Sequence, residues 1–279
     1  MIIDMHTHTF PDKIAEKAIE KLKQAGRIVP FTDGTMQGLK DSMQRAGIDY
    51  SVVLPVATNP EKVRSMNDVS IAMTGKDGLI YFGCMHPDCA YWYEELGRIA
   101  DAGLKGIKIH PVYQGVDIDD ECFVRILTRA GELGLTVITH AGDDIGFPGK
   151  VHCHPERVVR ALKKAGPVRL ILAHMGGWKN WRDVEKLLPQ ENVLIDTSFA
   201  LGEITPLEAG DYSEEERKLL SKEDFCRIVR AFGSERVLFG TDSPWADQQK
   251  SVADILALDL TEKEKENILW RNAKKILCK

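Results

Sequence analysis

Residues 105–140, "KGIKIHPVYQGVDIDDECFVRILTRAGELGLTVITH", decide how this chain folds. Two short β-branched runs, KGIKIH (105–110) and LTVITH (135–140), enclose a segment (119–133) whose apolar residues recur at spacings of three and four. Gly134 closes that helical pattern just before the second run. The order is strand, helix, strand. Runs that are apolar nearly throughout suit parallel strands buried on both faces.

The same unit recurs along the chain. The other strand candidates are 2–6, 51–56, 79–85, 168–174, 192–198 and 236–242, which makes eight in all. Helical spacing also marks 35–47, 60–74, 91–102, 154–165, 180–188 and 222–232. Asn59-Pro60 and His154-Pro155 put proline at a first helical position. Thr261 with Glu264 forms a capping box ahead of a final helix, 262–277. Gly47, Gly103 and Gly166 read as stops. Eight strand–helix alternations predict an α/β fold, a (β/α)8 TIM barrel of one domain spanning 1–279. No GxGxxG turn supports an open doubly wound sheet instead. The long connections 9–34, 141–153 and 199–221 each follow a strand, which places them on the catalytic face as lids or substrate walls.

Composition narrows the partners. The chain has 279 residues, 43% hydrophobic and 28% charged, with net charge -5. Without a basic patch, nucleic acid is not expected as a partner. No apolar run approaches the length of a membrane span, and no secretory signal is visible at the start. Cys84, Cys89, Cys122, Cys153, Cys226 and Cys278 are scattered, as reduced thiols of a cytoplasmic protein would be. A small-molecule substrate is the partner these features leave.

The first ten residues, "MIIDMHTHTF", carry two histidines one residue apart behind an apolar run. On a strand of period two, Asp4, His6 and His8 share a face. The other predicted strands also end in polar groups: Lys108 and His110, His140, His174, and Asp242. A barrel gathers all these ends around one axis at one rim. Histidine and carboxylate donors without thiolate suit one divalent ion, zinc first, with Mn, Fe or Co as alternatives. Held by His6, His8, His140 and Asp242, such an ion keeps a position open for water and lowers the water's pKa from about 15.7 to about 7.

The ordered set "DMHTH", "GIKIHP", "ITHAG", "LAHMGGW", "NVLIDTS" and "FGTDSPW" resembles the amidohydrolase superfamily, and within it the amidohydrolase-2 branch that includes aminocarboxymuconate semialdehyde decarboxylase and resorcylate decarboxylases. The resemblance runs from Ile3 to about Ala273. It implies that His6, His8, His140 and Asp242 are metal ligands, and that His174 is the histidine beside the metal-bound water, as base or electrostatic partner. It also implies a share in proton transfer for Asp242. Homodimers are common in this family. The chain is shorter than the branch's decarboxylases, and their substrate-carboxylate arginine has no clear counterpart here.

Several residues keep two readings. Lys108 either bridges two metals as a carboxylated lysine or pairs with an acid or a substrate anion. His110 either touches substrate or caps a loop. Trp178 and Trp245 sit just beyond rim residues and read as pocket lining. His152 and His154 form either a second metal site or a helix start, His86 lines the pocket or holds its turn, and Asp4 orients a ligand or satisfies backbone groups. Three functions are open: a hydrolase using metal-bound hydroxide on an amide, ester or lactone; a non-oxidative decarboxylase; and a non-catalytic metal-binding barrel.

Overall fold

The computed structural model describes residues 1–278. Its parallel strands are β1 (Ile3–Thr7), β2 (Tyr50–Val53), β3 (Leu79–Tyr81), β4 (Gly83–Cys84), β5 (Gly106–Ile109), β6 (Thr136–Thr139), β7 (Arg169–Leu172), β8 (Val193–Asp196) and β9 (Val237–Leu238). The β3 and β4 segments are one predicted strand interrupted at Phe82, whose N–H still donates to Val53 O. They join two sheets, ordered β1-β2-β3 and β4-β5-β6-β7-β8-β9. The ring closes between β1 and β9: Met5 N donates to Phe239 O at 2.8 Å, Asp242 N to His6 O at 2.8 Å, and His8 N to Ser243 O at 2.7 Å. The fold is a (β/α)8 barrel, as the alternation predicts.

The barrel interior is filled by Ile3, Met5, Val52, Leu54, Phe82, Ile138, Ile171 and Leu238, with Ala273 and Ile276 of the last helix packing against them. A larger apolar layer lies between strands and helices. Burying a side chain such as Ile138 or Leu238 contributes about 1.5–3 kcal/mol.

Three details depart from the sequence reading. First, the pairing of β1 with β2 slips between Asp4 and Thr7, an irregularity of the β-bulge kind. Strict alternation therefore fails, and Asp4 does not share a face with His6. Ile3 and Met5 pack into the interior, while the Asp4 carboxylate accepts from Gln248 Nε2 at 2.8 Å, from Thr241 and from His6 N. Asp4 thus satisfies buried donors and orients no ligand ring. Second, the connection 9–34 contains a helix, Asp12–Gly26. Third, a helix not predicted, Gln248–Leu256, follows the last strand, and the final helix passes through a π-turn at Asn267–Arg271. The capping box at Thr261 and Glu264 is present. All six cysteines are free, and no helix among the described residues is long and apolar enough to cross a membrane.

Candidate metal centre

His6, His8, Lys108, His110, His140, His174 and Asp242 converge at the C-terminal rim of the barrel, although they come from positions up to 236 residues apart (242 minus 6). One nitrogen of each key ring is committed to an acceptor. His8 Nδ1 meets Leu54 O at 2.8 Å, His140 Nε2 meets Asp143 O at 3.0 Å, and His174 Nδ1 meets Ser198 O at 2.9 Å. A carbonyl oxygen can only accept, so each of these nitrogens bears the hydrogen. His6 Nδ1 donates in the same way to Asp196 Oδ2 at 2.8 Å.

In a neutral ring the other nitrogen then presents a lone pair. Burial pushes His6 down to about 4, and pushes His140 and His174 below the usual histidine range, so these three rings are uncharged at neutral pH. The lone pairs face one another: His140 Nδ1 and His174 Nε2 lie 3.1 Å apart. Two acceptors at that distance repel unless a cation or proton lies between or beside them. His6 Nε2 and His8 Nε2 lie 3.5 Å and 3.2 Å from Asp242 Oδ1. Burial would raise the Asp242 carboxyl, and the surrounding histidines, His8, His6 and His174, outweigh that and hold it down to about 2. The ligating atoms of His6, His8 and Asp242 fall within 4.8 Å of one another. Neutral imidazoles and one carboxylate around a gap fit a divalent transition metal.

Lys108 is fully buried, and its Nζ donates to His6 Nε2 at 3.0 Å. Burial lowers it to about 8, against the pull of Asp196 and Asp242. Its ammonium occupies the side of the His6 lone pair that a cation would share.

A second group, His110, His140 and Asp144, also brings its ligating atoms within 4.8 Å. Its hydrogen positions differ from those of the first. His110 caps the short helix Pro111–Gln114, with Nδ1 accepting from Tyr113 N. Its Nε2 therefore carries the hydrogen, as does His140 Nε2, and both face Asp144 Oδ2 at 3.6 and 3.7 Å. This is a set of donors around a carboxylate rather than a set of lone pairs around a metal. Burial raises the Asp144 carboxyl to about 6. His110 stacks between Tyr113 and His140, at centroid distances of 3.8 and 4.3 Å.

The backbone at the rim is unusual. His174, Met175 and Asp242 have φ of 59°, 54° and 69°, in the left-handed region. Non-glycine residues held there cost about 1 kcal/mol or more each and cluster at functional sites. Gly142 has φ 86°, and a Cβ there would meet Trp178 N at 2.2 Å. That close approach lets Trp178 N donate to Ala141 O and Asp143 N donate to Trp178 O, which holds the loop behind His140. Trp178 is buried with Ile28 and Ile204, and Phe199 and Trp245 pack against this group. The Trp178 indole N–H has no hydrogen-bond partner among the described residues.

The remaining histidines are accounted for locally. His86 Nδ1 accepts from Asp88 N and holds its turn. His152 pairs with Asp117 at 2.8 Å and His154 with Asp183 at 3.2 Å, so the two do not converge. His154 starts its helix by accepting from Glu156 N. The sequence reading missed Asp196, Ser198 and Asp144. Two charged residues in otherwise apolar or glycine-flanked stretches, "VLID" and "GDDIG", were the available signal.

The chain matches the family model described as amidohydrolase over residues 3–278. Among solved structures it is similar to 5-carboxyvanillate decarboxylase from Novosphingobium aromaticivorans, complexed with manganese and 4-hydroxy-3-methoxy-5-nitrobenzoic acid. The identity is 15% and the TM-score 0.70, covering 100% of this chain and 96% of that one. It is similar to a protein of Pseudomonas putida assigned as a 2-pyrone-4,6-dicarboxylic acid hydrolase (17% identity, TM-score 0.64, 99% and 97% covered). It is also similar to a TIM-barrel protein from Bordetella bronchiseptica (17% identity, TM-score 0.73, 99% and 98% covered). No curated protein matches it by sequence.

Proposed function

Because this chain belongs to the amidohydrolase family and is a metal-dependent enzyme of that type, we propose that it hydrolyses an amide, ester or lactone bond of a small molecule. His6, His8 and Asp242, whose ligating atoms lie within 4.8 Å of one another, would hold one divalent cation, with His140, whose Nδ1 lone pair stands beside His174 outside that group, as the fourth ligand and zinc or manganese the first to test. The ion supplies Lewis acidity, polarising a substrate oxygen or acidifying a water. The observation that carries the hydrolytic reading is the state of His174. Its Nδ1–H is spent on Ser198 O, so its Nε2 enters the reaction as a proton acceptor. Such a group takes a proton from an attacking water and returns it to the leaving group. Asp242, held anionic, orients that water and shares the proton.

The substrate lies against Lys108, His110, Trp178 and Trp245. The Lys108 ammonium balances a developing or resident negative charge. His110 offers Nε2–H, and Trp178 offers the unpartnered indole N–H. The aromatic walls favour a flat, unsaturated acid. Free thiols throughout support a cytoplasmic setting.

A second reading is non-oxidative decarboxylation, favoured by the similarity to a carboxyvanillate decarboxylase. There Lys108 would face the carboxylate that leaves, and His174, once protonated by substrate, would deliver the proton to carbon. The test is a paired assay on metal-reconstituted protein: bicarbonate release from hydroxylated aromatic acids, and acid release from lactones and esters. Lactone or ester turnover without bicarbonate release supports hydrolysis. Bicarbonate release alone overturns it in favour of the lyase.

A further inference from the structure

Asp196, the last residue of β8, is fully buried and touches two strands at once. Its Oδ2 takes a single donor, His6 Nδ1–H, at 2.8 Å. Its Oδ1 takes three: His174 N at 3.1 Å, Ser198 N at 3.0 Å, and the Ser198 hydroxyl. Its own carbonyl accepts from Met175 N at 2.7 Å. The left-handed pair His174 and Met175, which turns the His174 ring into the site, is thus fastened at both N–H groups to Asp196. A glycine makes room for His6 and Asp196: a Cβ on Gly240 would lie 2.9 Å from His6 Cβ and 3.4 Å from Asp196 Cγ.

We propose that Asp196 is a positioning residue for the metal centre: one oxygen fixes His6 in the tautomer whose Nε2 presents a lone pair, which Lys108 Nζ meets at 3.0 Å and an ion would take over, and the other fixes the backbone that presents His174. This rests on the assignment of His6 as a ligand. The asymmetry of the donors makes the role testable with an isosteric change. In Asp196→Asn the side-chain oxygen stays with the three donors, because turning the amide over would set NH2 against all three. The NH2 then faces His6. Two donors cannot share that contact, so the variant favours the His6 tautomer with its hydrogen on Nε2, at the expense of the Lys108 contact there, and the lone pair a metal needs is lost. The same logic, by which an amide in place of a carboxylate selects the wrong histidine tautomer, is established for the serine protease triad.

The experiment uses full-length protein labelled with 15N at histidine. Long-range 15N–1H spectra of the metal-free wild type should show His6 protonated at Nδ1. Asp196→Asn should show it protonated at Nε2, with the overall circular dichroism spectrum retained. Zinc and manganese affinities, read by competition with a chromophoric chelator, should weaken about 100-fold in Asp196→Asn, the upper end for loss of a carboxylate behind a ligating histidine. Ser198→Ala removes a hydroxyl that donates to Asp196 and lies 3.1 Å from both His6 Nδ1 and His174 Nδ1 but keeps the Asp196 charge, so it should keep the wild-type His6 tautomer and weaken binding by no more than about 10-fold. A wild-type His6 protonated at Nε2 would overturn the proposal even if the variant failed to fold. So would an Asp196→Asn protein that keeps wild-type tautomer and affinity. Absence of metal binding by the wild type would instead refute the ligand assignment, while the tautomer spectra would still report on Asp196.

Discussion

Removing His8 should separate the proposed metal binding from folding more cleanly than removing any other proposed ligand. His8 is the most exposed of the proposed ligand histidines, with 15% of its side chain accessible; its ring meets Leu54 O at 2.8 Å and the partly exposed Asp242 Oδ1 at 3.2 Å. In His8→Ala the carbonyl stays within reach of water, so the metal-free protein should lose no more than about 1 kcal/mol. The metal should be lost far more severely. A four-ligand site is worth about 10–16 kcal/mol in favourable cases, or about 3 kcal/mol per ligand, which weakens binding about 150-fold. His6→Ala is the contrasting variant. His6 is buried, and its removal leaves one oxygen of the Asp196 carboxylate without a donor, at a cost of about 2–3 kcal/mol to the metal-free fold. Chelator competition gives the affinities, and urea denaturation of metal-free protein gives the stabilities. The reasoning fails if His8→Ala binds zinc and manganese as wild type does, or if it destabilises the metal-free protein as much as His6→Ala.

Other outcomes follow from the same geometry. His174→Asn should keep bound metal, measured by elemental analysis, while single-turnover rates fall about 10²–10⁴-fold. Between pH 8 and 10.5 the unfolded chain holds the Lys108 proton and the folded chain, where burial lowers Lys108 to about 8, does not. Stability therefore rises with pH across that window, by up to about 3 kcal/mol, and denaturation of metal-free Lys108→Met should lack the rise. Gly142→Ala, forced against the Trp178 backbone at a positive φ, should lower the thermal midpoint and cost about 3 kcal/mol or more.

The strands were legible because β-branched runs between glycine stops leave few other solutions; the predicted helix 222–232 coincides with Lys222–Phe232. The helix Asp12–Gly26 was obscured because only Ala15, Ile19 and Gly26 are buried along it, too thin a stripe for periodicity to expose, and no side chain caps its start. The bulge in β1 was invisible for a different reason: an extra residue in a strand leaves no compositional mark, so the face shared by Asp4 and His6 was misread. The rim histidines could be read from their places at strand ends. Their tautomers could not. These depend on Leu54 O, Asp143 O, Ser198 O and Asp196, and the Asp196 contact spans 190 residues of sequence. The donors around Asp144 were hidden likewise, since they arise from a loop folding back over His110 and His140.

The most direct test is anomalous diffraction from metal-loaded crystals, collected on either side of the zinc and manganese absorption edges. A single peak is predicted about 2.0–2.3 Å from His6 Nε2, His8 Nε2, His140 Nδ1 and an Asp242 oxygen. A peak seated instead between His110 and Asp144, or no peak in protein that turns over substrate, would contradict the account.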